Sequence, residues 1–261
     1  SVLPQLKEKY GRVEVITQAP QSVIFENNPH IDKLTVKQRG SIPNDGDAWQ
    51  KWFVERGKEY AFFVNLSHSC EVTRALLQSQ TAFYWPASFR RRLCDHSYLE
   101  TVADICEVPW GFPKFYPTEA ELRQARETWD KYANGRRVVG WVLSGTRLDK
   151  IYPYAPFAVS RMIKELDVSV MMFGAPGKDK DLAETIAQDV KMQLGTVDHL
   201  HLALSPSMEN ETWPIRRILT QIAQCDVVIG PDTGPMWAVA GEALPKIVML
   251  GHASPTNITK H

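Results

Sequence analysis

The sequence lacks several features that would place it in a specialised class of protein. Its 261 residues contain no run of about 18 apolar residues, so a membrane-spanning helix is excluded. Lys plus Arg equals Asp plus Glu at 30 each, which leaves no net charge to attract nucleic acid, and we expect no nucleic-acid partner. The four cysteines show no CxxC spacing, which is typical of a reducing cytoplasm and not of a disulfide scaffold.

Short apolar runs alternate with helical patterns along the chain. This alternation predicts an α/β fold with a mostly parallel sheet covered by helices. The predicted strands lie at residues 13–17, 33–36, 61–66, 81–84, 137–143, 168–173, 226–229 and 246–250. The predicted helices lie at residues 48–57, 70–78, 97–106, 118–134, 155–166, 179–192, 213–224 and 236–242.

A break rich in proline and glycine at residues 108–113 separates two series of these elements. Thr118 followed three residues later by Glu121 is typical of a capping box, and Asn134-Gly135 is a common helix ending. We therefore predict an N-terminal domain at 1–117, a connecting helix at 118–134 and a C-terminal domain at 135–261.

The most informative segment runs from Cys225 to Ala240. A buried strand enters the turn Gly230-Pro231-Asp232-Thr233-Gly234-Pro235, and the next helix begins there. Unpaired backbone N–H groups at such a turn can bind a diphosphate, and a glycine lets the anion approach closely. The local pattern leaves a second interpretation open, in which Asp232 and Thr233 only cap the helix.

The whole run from Asp226 to Gly251 resembles the signature of glycosyltransferase family 9, the heptosyltransferase-like family that includes ADP-heptose:lipopolysaccharide heptosyltransferases. The matching residues are Gly230 to Met236, Ala238, Ala240, Pro245 and Ile247 to Gly251. The segments Phe25 to Asp32 and Asp95 to Tyr98 are also similar to the family.

The resemblance implies a GT-B fold of two facing Rossmann-like domains with a cleft between them. It also implies transfer, with inversion, of a sugar such as heptose from a nucleoside-diphosphate donor to a glycan or lipopolysaccharide-type acceptor, without a metal or other cofactor. The expected partners are the nucleotide sugar and an anionic glycan or lipid-linked acceptor. The expected location is the cytoplasm, with peripheral contact at the inner face of the cytoplasmic membrane.

The family pattern of a small-residue turn, a lysine, an aromatic residue and a proline fits residues 143–153. It makes Lys150 and Asp232 the expected catalytic residues, with Lys150 neutralising charge on the departing nucleoside diphosphate. Arg147 is a second candidate for that role. The expected donor-binding residues are Ser144, Gly145, Thr146, Arg147, Gly174, Asp179, Asp181, Thr233, Gly234, Pro235, Met236 and Trp237.

Two groups of these residues have a second interpretation. Asp179 or Asp181 would hold the ribose hydroxyls of the donor, or either could be a helix-terminal carboxylate without a ligand. The run Arg90-Arg91-Arg92 would bind an anionic acceptor, or it could be a solvated surface.

We expect no metal site. Further ligands at metal-site spacing are lacking around Asp45-Gly46-Asp47 and around the pair His199 and His201.

Two departures from the family pattern concern function. The family histidine that follows Gly-Pro-Met is Trp237 here. The general base of the family would lie before Ser1, and we expect the chain to be a piece truncated at both ends, which could bind a donor without transferring it. These departures leave open an alternative, a catalytically impaired nucleotide-sugar-binding module. A third interpretation, a nicotinamide-dependent dehydrogenase, is less favoured because no GxGxxG follows an early strand.

Overall fold

The structure is a computed structural model that describes residues 1–19, 21–43, 46–66, 84–94, 96–145, 147–175, 177–203 and 214–251, without the side chains of residues 46, 91, 93 and 94. The chain divides into two compact units, of which the first ends at Phe112 and the second begins at Pro113. The domain boundaries given above stay a prediction. Among the described residues, no helix combines the length and apolar character that crossing a membrane requires.

The first unit contains one pair of parallel strands and several helices. Its elements are α1 (Leu3–Tyr10), β1 (Glu14–Gln18), a 3-10 helix (Gln21–Phe25), β2 (Lys33–Lys37), α2 (Gly46–Gly57), α3 (Ala87–Cys94) and α4 (Tyr98–Cys106). Strands β1 and β2 pair with Glu14 opposite Lys33. The core of this unit is a cluster of buried residues that includes Val2, Leu6 of α1, and Ala103 and Cys106 of α4.

The first unit differs from the sequence prediction in several elements. The predicted strand at 61–66 is wrong, because this segment has no strand pairing within the described part of the chain. Phe62 and Val64 nevertheless both pack on the core, which explains why the segment is an apolar run. Helix α3 was not predicted, and the predicted helix at 70–78 and most of the strand at 81–84 lie outside the described residues.

The second unit is a five-stranded parallel sheet with helices on both faces. Its elements are α5 (Glu119–Ala133), β3 (Arg137–Val142), a 3-10 helix (Leu148–Lys150), α6 (Ala155–Leu166), β4 (Val168–Phe173), α7 (Lys178–Leu194), β5 (Leu200–Leu202), α8 (Ile215–Ile222), β6 (Val227–Pro231), α9 (Gly234–Ala238) and β7 (Lys246–Met249). The strand order is β5-β4-β3-β6-β7, with every neighbouring pair parallel.

Helix α5 shows why the local sequence forms these elements. The Thr118 hydroxyl accepts a hydrogen bond from the Glu121 N–H at 3.2 Å, and the Glu121 carboxylate accepts one from the Thr118 N–H at 2.7 Å. Asn134 ends the helix in the left-handed conformation at φ 48°, which asparagine tolerates better than most residues. The capping box and the helix ending predicted from the sequence are both confirmed.

The two faces of the sheet are covered by different helices. Val159 of α6 and Ile186 of α7 pack with Val139, Trp141 and Val170 on one face. Helices α5, α8 and α9 contribute residues such as Ala133, Ile222 and Met236 to the other face. The largely apolar composition of β3 and β4 follows from this double coverage, since every residue of the two strands except Arg137 is buried.

The connections of the sheet place a switch in direction between β3 and β6. From β3 the chain continues through α6 on one face to β4, whereas from β6 it continues through α9 on the opposite face to β7. The loops that leave the carboxyl ends of β3 and β6 therefore diverge. In parallel α/β sheets, ligands bind at such points.

Candidate functional site

Lys150 and Asp232 are brought together where β3 and β6 end. The Lys150 ammonium donates to the Asp232 backbone carbonyl at 2.5 Å and to its carboxylate Oδ2 at 3.3 Å. The two side chains are only 15% and 12% exposed. The two residues that the family resemblance singled out as catalytic, separated by 82 positions, thus form one ion pair.

Gly145 makes the close packing around this pair sterically feasible. A Cβ atom at this position would lie 2.6 Å from Lys150 Cδ and 2.9 Å from Thr233 Cγ2. Real Cβ atoms do not approach other atoms so closely, so a larger residue would displace the lysine stem or the threonine methyl. Gly145, Lys150 and Thr233 consequently belong to one cluster.

Trp237 also reaches this cluster, through its indole N–H. Its Nε1 donates to Asp232 Oδ1 at 2.8 Å, a contact that spans five positions across the start of α9. Since Oδ2 faces Lys150, each oxygen of the Asp232 carboxylate has a donor. The tryptophan that replaces the family histidine therefore makes a polar contact inside the protein.

The turn before α9 is open on one side and closed on the other. Gly234 is exposed, and a Cβ atom there would meet no atom within 4 Å. Thr233 is half-buried, and its hydroxyl donates to the Pro231 carbonyl at 3.2 Å. Pro235 is half-buried in the first turn of α9, whereas Met236 is buried in the core. A ligand can therefore approach the backbone at Gly234.

Asp179 joins the loops that follow β3 and β4. It is 4% exposed, accepts a hydrogen bond from the Ser144 hydroxyl on Oδ1 and accepts one from the Ala175 N–H at 2.8 Å on Oδ2. Gly174 is half-buried beside it, whereas Asp181, one half-turn further along α7, is exposed. The two aspartates considered for the same role thus differ, because only Asp181 presents its carboxylate to solvent.

Arg147 lies at the solvent side of the β3 loop. Its Nε donates to both oxygens of Asp149, at 3.0 and 3.2 Å, and hydrogen bonding to that carboxylate raises the pKa of the guanidinium. Its side chain is 62% exposed, in contrast with Lys150. Thr146, also predicted to bind the donor, lies outside the described residues.

Lys178 is a site residue that sequence reasoning missed. Its ammonium donates to the backbone carbonyl of Gly145, which brings a second lysine to the β3 loop. A usable signal was present, because Lys178 follows Gly177 in the loop after β4, and loops at the carboxyl ends of strands were the place to search.

The predicted acceptor residues lie on α3 in the first unit. The Arg90 Nε donates to the Trp85 carbonyl at 3.1 Å, and the Arg92 guanidinium lies 5.0 Å from the centre of the Phe89 ring. The side chain of Arg91 is outside the described residues. A mixed basic and aromatic surface is therefore present on this helix.

The part of the chain that the structure describes contains no group of three or more His, Cys, Asp or Glu side chains arranged to hold a metal ion. His201 lies on β5, where burial lowers the pKa of its imidazole, and its ring contacts that of Tyr132 at 4.5 Å. Asp45 lies outside the described residues.

Comparisons with known proteins bear on the family. No curated protein sequence matches the chain. Among solved structures, a glycosyl transferase family 9 protein from Veillonella parvula DSM 2008 is 17% identical with a TM-score of 0.66, and the match covers 98% of this chain and 77% of that one. An E. coli ADP-heptose lps heptosyltransferase II is 15% identical with a TM-score of 0.59, covering 98% and 81%.

These likenesses confirm the predicted α/β fold of GT-B type. The family model for glycosyltransferase family 9 (heptosyltransferase) matches residues 90–259, which is most of the chain. The alternatives of an inactive binding module and of a dehydrogenase are not favoured by this match. The chain therefore belongs to glycosyltransferase family 9, the heptosyltransferase family, and is a nucleotide-sugar glycosyltransferase.

Proposed function

We propose that the loops after β3 and β6 bind the diphosphate of a nucleotide-sugar donor, with Lys150 as the group that stabilises the departing nucleoside diphosphate. The observation that supports this is the ammonium of Lys150, held with little exposure against Asp232 at the carboxyl ends of two adjacent parallel strands. A cation fixed in advance stabilises developing negative charge without reorganising during the reaction.

The chemistry that this arrangement serves is a displacement at the anomeric carbon of the sugar. The acceptor oxygen forms the new bond while the bond to the phosphate oxygen breaks, and the electron pair of that bond leaves with the nucleoside diphosphate. Attack from the opposite side inverts the anomeric carbon. The acceptor proton passes to a general base.

The donor contacts divide among the loops of the second unit. Gly234 offers open backbone to the diphosphate, with Thr233 and Gly145 packed beside Lys150. Arg147 and Lys178 add positive charge at the β3 loop. For the ribose hydroxyls, Asp181 is the better candidate because Asp179 already accepts hydrogen bonds from Ser144 and Ala175.

The finer identity of the substrates rests on the family. We propose heptose as the sugar and ADP as the nucleotide, with no further cofactor, because the chain matches a heptosyltransferase family. We propose an anionic glycan or lipopolysaccharide-type acceptor, for which the arginines on α3 supply complementary charge. Such an acceptor would place the protein in the cytoplasm at the inner face of the cytoplasmic membrane.

Calorimetry with ADP, ADP-heptose, UDP- and GDP-sugars and NAD tests the donor site. We expect ADP and ADP-heptose to bind, and NAD not to bind. A Gly234→Asp variant places a carboxylate in the open space and should weaken ADP binding at least roughly tenfold by charge repulsion. Gly234→Asn has the same shape without the charge and should bind nearly as the wild type does.

Two results would contradict this assignment. Equal affinity of the two Gly234 variants for ADP would place the diphosphate elsewhere. Binding of NAD in preference to every nucleotide sugar would exclude the donor class.

A further inference from the structure

The Trp237 side chain is hydrogen-bonded to the carboxylate that contacts Lys150. Its indole has a single N–H group, and that group donates to Asp232 Oδ1 at 2.8 Å. The carboxylate is 12% exposed, so its hydrogen bonds are only weakly replaced by water. A hydrogen bond to a charged acceptor in such a setting is stronger than one between neutral groups.

The position of Asp232 in turn fixes Lys150. The ammonium contacts both the backbone carbonyl of Asp232, at 2.5 Å, and Oδ2 of its carboxylate, at 3.3 Å. A carboxylate bonded on one oxygen only can rotate about its χ2 angle, because that torsion is broad. The indole on Oδ1 removes this freedom and leaves Oδ2 directed at the lysine.

We propose that Trp237 is a positioning residue, which acts through Asp232 to hold the Lys150 ammonium in the orientation that the departing nucleoside diphosphate requires. This inference rests on the proposed function of Lys150. Trp237 was predicted from the sequence to bind the donor, whereas here its indole N–H is directed at Asp232 and not at the donor sugar.

The bond itself can be tested without any substrate. In a protein labelled with ¹⁵N at the indole nitrogens, the Trp237 resonance is the one missing from a Trp237→Phe variant. We expect its N–H proton to lie downfield, as hydrogen bonding to a carboxylate requires, and to move upfield in Asp232→Asn. A resonance that does not respond to Asp232→Asn would overturn the inference, whatever the activity of the enzyme.

A double-mutant cycle in the active enzyme tests whether Trp237 acts through Asp232. Trp237→Phe keeps an aromatic side chain but removes the indole N–H. We expect kcat to fall roughly 10- to 100-fold, as for the loss of a hydrogen bond to a charged group, with KM for ADP-heptose changed less than kcat. In an Asp232→Asn background the same substitution should have little further effect, because the path to Lys150 is already broken.

Trp129→Phe is the matched control. The Trp129 indole nitrogen is buried on α5 and makes no hydrogen bond to any residue that the structure describes, so we expect wild-type kcat. Additive effects of Trp237→Phe and Asp232→Asn would overturn the positioning role. Failure of wild-type protein to bind ADP or to use ADP-heptose would refute the proposed donor site instead, and the indole resonance would still decide whether the bond exists.

Discussion

The second unit contains two ion pairs of low exposure that differ in how completely the cation is held. On the face covered by α5 and α8, Arg216 donates to both oxygens of Glu121 at 2.7 and 2.8 Å, and to the Tyr116 carbonyl at 2.9 Å. At the carboxyl edge of the sheet, the Lys150 ammonium donates to the Asp232 backbone carbonyl at 2.5 Å and to one carboxylate oxygen of Asp232 at 3.3 Å. The Arg216 guanidinium thus contacts both oxygens of its partner carboxylate, whereas the Lys150 ammonium contacts one carboxylate oxygen at a longer distance.

The Arg216–Glu121 pair supports the fold, whereas the Lys150–Asp232 pair is suited to binding a ligand. The Arg216 guanidinium also lies 4.7 Å from the centre of the Phe115 ring, so its neighbours satisfy both its charge and its flat surface. A lysine has three rotatable donors and can turn one toward an arriving phosphate. We therefore expect substitutions at Arg216 to change stability and substitutions at Lys150 to change turnover.

The largest expected effect is that of Arg216→Ala on stability. Arg216 is 8% exposed, and its removal leaves the Glu121 carboxylate without its main partner, which should lower the free energy of unfolding by about 3–5 kcal/mol. Urea denaturation measures this loss. Arg161→Ala is the control, because its pair with Glu165 is exposed on α6, and its unfolding midpoint should match that of the wild type.

The next largest effect is that of Lys150→Ala on turnover. Loss of one donor that stabilises leaving-group charge should reduce kcat by roughly 10²- to 10³-fold while the urea midpoint changes little. Lys164→Ala removes the same charge from an exposed position of α6 and should keep wild-type turnover. A normal rate in the Lys150 variant, or a loss of folding in place of turnover, would remove the distinction between the two pairs.

Acid should destabilise the protein through the Arg216 pair. Hydrogen bonding to Arg216 lowers the pKa of Glu121 from 4.5 to about 2. Because the folded-state pKa is depressed, this stabilisation is fully present above about pH 4.5 and is lost as the pH falls through about 2, with a total of about 3 kcal/mol. Unfolding free energies measured across this range should fall less steeply in Glu121→Gln than in the wild type. Equal slopes would contradict the assignment.

Gly145→Ala should affect the Lys150 pair with little cost to the fold. The added methyl would lie 2.6 Å from the flexible stem of Lys150, so the lysine moves while the sheet stays intact. Since small misplacements of catalytic groups are costly, we expect turnover to fall roughly 10- to 100-fold. Steady-state kinetics beside a urea titration measures both quantities, and unchanged kinetics would show that the position of Lys150 is not critical.

The smallest expected effect concerns the helix that carries Glu121. Thr118→Ala removes the N-cap of α5 and should lower the unfolding free energy by about 1 kcal/mol, without altering turnover. Thr118→Ser retains the capping oxygen and should be close to the wild type. A loss of turnover in Thr118→Ala would show that the two regions are coupled.

Particular elements show how far sequence reasoning reached. The β3, β4 and β6 runs were predicted because a parallel strand covered on both faces must be apolar along its length. The α5 capping box was predicted because its contacts are three residues apart. The strand predicted at 61–66 was wrong, since a short apolar run packs on a core with or without a strand partner.

For the candidate site, too, the sequence predicted some features and the structure was needed for others. Each loop was identified by its small residues, its charges and its place after an apolar strand, and the family pattern picked out Lys150 and Asp232. Their proximity, the engagement of Asp179 by Ser144, and the contribution of Lys178 depend on contacts across 33 to 82 positions. No periodicity within one segment contains that information.

The amino-acid sequence was sufficient to predict the α/β class, the family and the loops in which chemistry can occur, because local spacing and composition control strands, caps and turns. The three-dimensional arrangement was needed to show that Trp237 contacts Asp232, that Asp181 is exposed where Asp179 is buried, and that Arg216 and Lys150 have different surroundings. These contacts depend on the pairing of β3 with β6, which joins loops that are distant in the chain.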